Sequence, residues 1–217
     1  MRLSIFIASS IFFSFVSSAA SAQSTHANAA DPKQGAAAAF EEGQNAQQRG
    51  DLNSAVRSYS NAIKFDPSLF QAYYQRGTAL AALGRDAEGE ADLRKTIELR
   101  PDFARAHRAL GQVLLDRGMT EEAKRELSRA IELEPKLGGV RIPYASALIK
   151  SGDAGGAIEQ LRSAIEQGER TPLAYALLGV AEERSGKPDD AFADYSRAID
   201  MDANNATARE GRARIFE

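Results

Sequence analysis

Gly118-Met119-Thr120-Glu121-Glu122-Ala123-Lys124-Arg125-Glu126-Leu127-Ser128-Arg129-Ala130-Ile131 is the stretch that decides the fold, because versions of it occur five times. Its glycine recurs as Gly50, Gly84, Gly118, Gly152 and Gly186, and its isoleucine as Ile63, Ile97, Ile131, Ile165 and Ile199, always 34 residues apart. A fixed period in this range marks a repeat architecture, whose units bury their apolar faces only against their neighbours.

Working outward, the register runs 36–69, 70–103, 104–137, 138–171 and 172–205, each unit holding two helical patterns split by the glycine. Glycine at that point suits a left-handed residue ending the first helix. Asp51, Thr120 and Asp153 then offer N-caps for the second helix, and Pro188 fits an early helical position. Pro67, Pro101 and Pro135 close the second helix in the first three units, since proline disfavours α geometry in the residue before it. Gly43, Gly77, Gly111, Ala145 and Gly179 recur in the first helix, and Ala62, Thr96, Ala130, Ala164 and Ala198 in the second. Glycine within a helix costs ~1 kcal/mol against alanine. Repeating that cost at one position implies a neighbour that needs the space. Tyr59, Leu93, Leu127, Leu161 and Tyr195 are the residues expected to fill it.

This pattern resembles the tetratricopeptide repeat over residues 36 to 205. In the third unit Leu110-Gly111, Leu114, Ala123, Leu127, Ala130 and Pro135 match it throughout. The resemblance implies an all-α fold, a right-handed α-solenoid of stacked antiparallel helix pairs. The departures are local: Ala39 and His107 replace an early aromatic, and Glu169 and Ala203 replace the closing proline. Residues 206–217, with Arg209, Arg212 and Arg214, are expected to form a capping helix with a polar outer side. The fourth unit departs most. Gly138-Gly139-Val140-Arg141-Ile142-Pro143 implies either a first helix shortened to begin near Ile142 or a hinge between the third and fourth units.

Residues 1–22 read differently. Arg2, an apolar run from Leu3 to Val16, and the small-residue ending Ala20-Ser21-Ala22 have the form of a signal peptide. The alternative, a retained membrane anchor, is disfavoured because the run has 14 residues where a span needs about 20. Residues 23–31 then form a small, polar, flexible leader ending at Asp31, an N-cap followed by Pro32 and by Gln34 in capping-box position. The chain contains no cysteine, which suits an exported, periplasmic protein. A net charge of -3 argues against nucleic-acid binding, which favours a basic surplus.

Little in the sequence supports catalysis. The two histidines are His26, in the leader, and His107, at a position that packs between helices in this family. No His, Cys or acidic cluster has metal-ligand spacing, and the glycines are helix ends or packing sites rather than a phosphate loop. The expectation is a non-enzyme without cofactor or metal.

The resemblance further implies that the first helices line a concave groove. On this chain the groove positions include Phe40, Gln44, Tyr74, Thr78, Arg105, Arg108, Gln112, Ile142, Ile149, Lys150, Val180 and Arg184. Such a surface suits an extended peptide with an apolar anchor near Tyr74 and an acidic group near Arg105 and Arg108, with Lys150 close by. The plainer alternative makes the arginines a solvated face paired with Asp102 and Asp116. Ile142, Ile149, Leu173 and Val180 either seat a partner's side chains or bury against a second copy of the chain. The family's carboxylate clamp is not preserved, since its positions hold Phe40, Gln44, Gln75, Arg105 and Ala109. The functional expectation is an exported protein–protein interaction scaffold that binds a peptide segment of an envelope partner. The alternative is a self-associating structural subunit of an envelope, secretion or pilus assembly.

Overall fold

The structure is a computed structural model that describes residues 31–215. The expected signal peptide, the leader up to residue 30 and the last two residues of the capping segment lie outside the described residues. Eleven α-helices and no strand occur among those described: α1 Pro32–Gln48, α2 Leu52–Phe65, α3 Phe70–Ala82, α4 Asp86–Leu99, α5 Ala104–Asp116, α6 Thr120–Leu133, α7 Arg141–Lys150, α8 Ala154–Glu166, α9 Pro172–Arg184, α10 Pro188–Met201 and α11 Ala206–Ile215. Each odd-numbered helix up to α9 packs against the even one that follows, and each pair stacks on the next.

The glycine of the period does what its conformation requires. Gly50, Gly84, Gly118, Gly152 and Gly186 have φ of 78°, 75°, 77°, 88° and 71°, and a Cβ added to any of them would meet nothing within 4 Å. Backbone geometry, not crowding, therefore demands glycine there. Asp51 and Asp153 cap α2 and α8 by accepting from the Ser54 and Gly156 amides. Asp31 accepts from the Lys33 amide ahead of Pro32. Thr120 does not cap. It is the first helical residue of α6, and Met119 stands at the N-cap without a side-chain bond. The 34-residue step from Asp51 leads to Arg85, Met119 and Asp153, so Thr120 is one residue out of register.

The small residues admit their neighbours closely. A Cβ on Gly43 would lie 2.5 Å from the Tyr59 ring, one on Gly111 2.5 Å from Leu127 Cγ, and one on Gly179 2.7 Å from the Tyr195 ring. Tyr59, Leu93, Leu127, Leu161 and Tyr195 are fully buried, as are Ala62, Ala130, Ala164 and Ala198.

Successive first helices touch one another (α3 with α5, α5 with α7, α7 with α9), and α9 touches α11. No two second helices make comparable contact among the described residues. The stack therefore bends toward its first helices, whose outer faces form the inner wall of the curve. Beyond the fifth unit α11 packs on α9 and α10. Ala208 is fully buried beside Tyr195, and a Cβ on Gly211 would come within 2.2 Å of the Tyr195 ring.

The fourth unit has a shortened first helix. α7 has 10 residues against 13 in α3, α5 and α9, with Pro143 in its first turn. The segment before it is tied from both sides. Arg108 donates to the Gly138 carbonyl at 2.7 Å, and Glu169 accepts from the Gly139 amide at 2.7 Å. Leu137 and Val140, on either side of these ties, are buried. Glu169 is itself the residue that replaces a closing proline, so two departures from the repeat pattern bind each other. Removing one tie with Arg108→Ala should leave helicity intact while raising amide exchange of residues 138–141 by about 5- to 30-fold, the response to losing 1–2 kcal/mol of local stability. Unchanged protection there would show that the ties do not hold the segment.

Candidate functional site on the inner wall

The expected groove residues divide into three groups. Tyr74 is half-buried, edge-on to Phe103 at 5.1 Å between centroids, and Phe70 meets the same ring at 5.4 Å. Phe40 packs against Tyr59 at 5.5 Å. Gln44, Ile142 and Val180 are half-buried, and Thr78 turns its hydroxyl onto the Gln75 carbonyl. These form the floor.

A second group is committed to the chain itself. Ile149 is 5% exposed, inside a core cluster with Leu148 and Leu161, so it is not a groove-lining residue. Its neighbours on α8 and α9 cover it. Arg108 serves the Gly138 carbonyl, and Arg184 donates to the Ile149 carbonyl at 2.7 Å, satisfying an acceptor near the C-terminus of α7. Gln112 donates to Asp116 at 3.2 Å.

The third group is free. Arg105 and Lys150 are exposed and have no ion-pair partner among the described residues. The alternative that pairs Arg105 and Arg108 with Asp102 and Asp116 does not hold, since Asp102 is bound by Arg100 and Asp116 by Gln112. Nor is Lys150 close to Arg105. First helices of successive units run parallel, and the repeat register places Arg105 near the start of α5 but Lys150 at the end of α7. Eleven residues of helical rise separate those levels in the register, about 16 Å along the wall. On the same wall Leu173 is 55% exposed, a large apolar side chain open to a partner.

Two further sets of polar contacts escaped the sequence reading. Tyr59 donates to Gln47 at 2.8 Å, and Tyr195 to Glu183 at 2.6 Å. Arg214 of α11 also grips Glu183, with two bonds of 3.0 Å. Comparing units would have revealed the pairing: where the second helix carries tyrosine, the first carries Gln47 or Glu183, and where it carries Leu93, Leu127 or Leu161, the first carries Ala81, Leu115 or Ile149. A polar seam also joins first and second helices. Arg76 holds Asp92 with two bonds of 2.7 and 2.8 Å, and Arg141 donates to Gln160.

His107 belongs to this seam. Its Nδ1 lies 2.7 Å from Glu126 and its Nε2 3.0 Å from the Pro101 carbonyl. Both partners are acceptors, an arrangement that favours the doubly protonated ring. Burial pulls its pKa down, but the bonds to Glu126 and Pro101 outweigh this and leave it raised. Among the described residues no group of three or more His, Cys, Asp or Glu side chains is arranged to hold a metal. No described helix is long and apolar enough to cross a membrane.

A sequence profile described as tetratricopeptide repeat matches residues 74–136 and 145–217, and one described as TPR repeat matches 47–84. The chain belongs to the tetratricopeptide repeat family. As such it is a non-enzymatic protein–protein interaction scaffold, and the solenoid architecture agrees with solved tetratricopeptide structures. The crystal structure of YrrB, described as a TPR protein with an unusual peptide-binding site, superposes with a TM-score of 0.71 at 21% identity, covering 81% of this chain and 90% of that one. MamA of Desulfovibrio magneticus RS-1 gives a TM-score of 0.71 at 20% identity over 79% and 97% of the two chains. A tetratricopeptide repeat protein of Parabacteroides merdae gives 0.71 at 17% identity over 84% and 73%. No curated protein matches the sequence.

Proposed function

We propose that this tetratricopeptide repeat protein is an exported adaptor that holds an extended segment of an envelope protein along its inner wall. The observation that supports this most is the contrast between committed and free side chains there. Arg108 and Arg184 are consumed by the chain's own carbonyls, while Arg105, Lys150 and Leu173 stand exposed. Two cations about 16 Å apart along the wall suit a segment some five residues long in extended form, at ~3.3 Å per residue. An acidic group near each end would meet Arg105 and Lys150, with an apolar side chain against Leu173. The neighbour YrrB, described by its peptide-binding site, lends support by analogy of fold. Export rests on Arg2, the apolar run from Leu3 to Val16 and the small residues before Gln23.

The test is in-cell crosslinking from probes at Leu173 and Gln112, with captured partners identified by mass. Arg105→Glu combined with Lys150→Glu should reduce capture at least 10-fold, since each contact of a charge with an ionised partner contributes ~1 kcal/mol or more. Neither side chain supports the fold, so helicity should not change. Undiminished capture by the double variant would refute the groove reading. Capture of the chain itself, with a dimer by light scattering, would favour self-association instead.

A further inference from the structure

A cleft of about 340 Å³ lies between α8, α9 and α10, on the side of the stack away from the inner wall. Ile165, Leu178, Ala193 and the Tyr175 ring give it apolar sides. Its polar lining is acidic: Glu166, Glu182, Asp190 and Asp194 outnumber Arg162 and Arg197. No charged residue of α7 lines it, and Arg214 of α11 is bound to Glu183.

Glu182 is the unusual member. The equivalent residues of the other units are Ala46, Leu80, Leu114 and Leu148, all core side chains. Glu182 is 1% exposed, yet only one of its oxygens is satisfied: Arg162 donates to Oε1 at 2.9 Å, while Oε2 has no hydrogen-bond partner. The group beside it is Asp194, another carboxyl, itself engaged by Arg197 at 2.7 Å. Acceptor faces acceptor, so a proton or an entering cation is needed to bridge them. Burial raises the Glu182 pKa to about 7, Asp194 adding to the rise and Arg162 opposing it. A buried carboxylate oxygen without a donor costs stability.

We propose that this cleft is a binding site for a lysine side chain presented by a partner protein, with the ammonium bridging Glu182 and Asp194. The lining supports each part of such a ligand. The apolar sides match a four-carbon stem, and the acidic end matches a compact cation with several donors. Glu166 and Asp190 do not join Glu182 and Asp194 in a group arranged to hold a metal among the described residues, which disfavours a metal. Below about pH 7 binding exchanges cations, the ammonium entering as the proton held between the two carboxyls leaves to solvent; above it the ammonium enters an already ionised pair. Affinity therefore rises as pH passes upward through about 7. The site does not depend on the groove reading, because none of its residues lies among Arg105, Lys150 and Leu173.

The experiment titrates the protein with Nα-acetyl-lysine methylamide while following backbone amide NMR signals. At pH 8 the signals of residues 162–197 should shift saturably, and at pH 6 affinity should be about 10-fold weaker, as expected for a competing proton with a pKa near 7. Nα-acetyl-norleucine methylamide, which keeps the four-carbon stem without the ammonium, should leave them unmoved. Glu182→Gln should abolish the response while circular dichroism shows a folded chain. A missing response, an equal response to norleucine, or retained binding by Glu182→Gln would overturn the proposal. So would tighter binding of cadaverine, which would make a free diamine the ligand rather than a partner's lysine.

Discussion

Tyr195→Ala should lower the stability of the C-terminal end by about 3–5 kcal/mol, the range for truncating a fully buried aromatic side chain. The ring fills the space left by Gly179, Ala191, Ala198 and Gly211, and it is the centre of the cluster that seats α11. Its hydroxyl donates to Glu183, which in turn anchors Arg214. Burial raises the phenol's pKa, and the Glu183 carboxylate raises it further, so the hydroxyl remains a donor through the neutral range. Urea unfolding followed by circular dichroism and amide exchange should show α10 and α11 losing protection ahead of α3 to α6. Tyr195→Phe keeps the packing and should cost only about 1 kcal/mol. If alanine and phenylalanine behaved alike, the hydrogen bond rather than the ring would be the anchor.

Glu182→Leu should have an effect of opposite sign: a gain of about 1–3 kcal/mol at pH 8, the cost of a buried acceptor left without a donor, while Arg162, half exposed, returns to water. Leu80, Leu114 and Leu148 already occupy the equivalent positions, so the side chain fits this fold. The sign of the pH dependence follows from the direction of the shift. Glu182 is raised from an ordinary 4.5 to about 7, so its favourable contribution is complete below 4.5 and is lost as pH rises through about 7. His107 works in the same direction. Raised above 6.5, it stabilises fully below that value and less as pH climbs through the elevated pKa. Melting temperatures at pH 5, 6, 7 and 8 should fall with pH in the native chain and fall less in Glu182→Leu, the remaining slope belonging to His107. An identical slope in the two proteins would mean that Glu182 is not the titrating group.

The solenoid was legible because its causes are local and recur. A glycine that must adopt positive φ and an alanine that must admit a helix return every 34 residues, and five copies identify them by position alone. The inner wall was legible only in outline. Which residues face it follows from the register, but whether a side chain is free depends on carbonyls brought near by neighbouring units. Arg108 and Arg105 are three residues apart on one helix, and only Arg108 finds the Gly138 carbonyl. Ile149 looked like a groove residue because its register position is one, and α8 and α9 bury it. Glu182 passed unnoticed because a lone acid in a helix ordinarily reads as solvated. Setting it beside Ala46, Leu80, Leu114 and Leu148 would have exposed it.

The tyrosine pairs bear on how such a chain can grow by duplication. Tyr59 and Gln47 fall within one unit, as do Tyr195 and Glu183, so a copied unit inherits hydroxyl and acceptor together. Glu182 differs, for its guanidinium comes from Arg162 in the preceding unit. The residue of the fifth unit equivalent to Arg162 is Ser196. A fifth unit copied in tandem behind itself would set a glutamate above a serine and leave both its carboxylate oxygens without a guanidinium. The array can therefore lengthen behind its fourth unit more readily than behind its fifth.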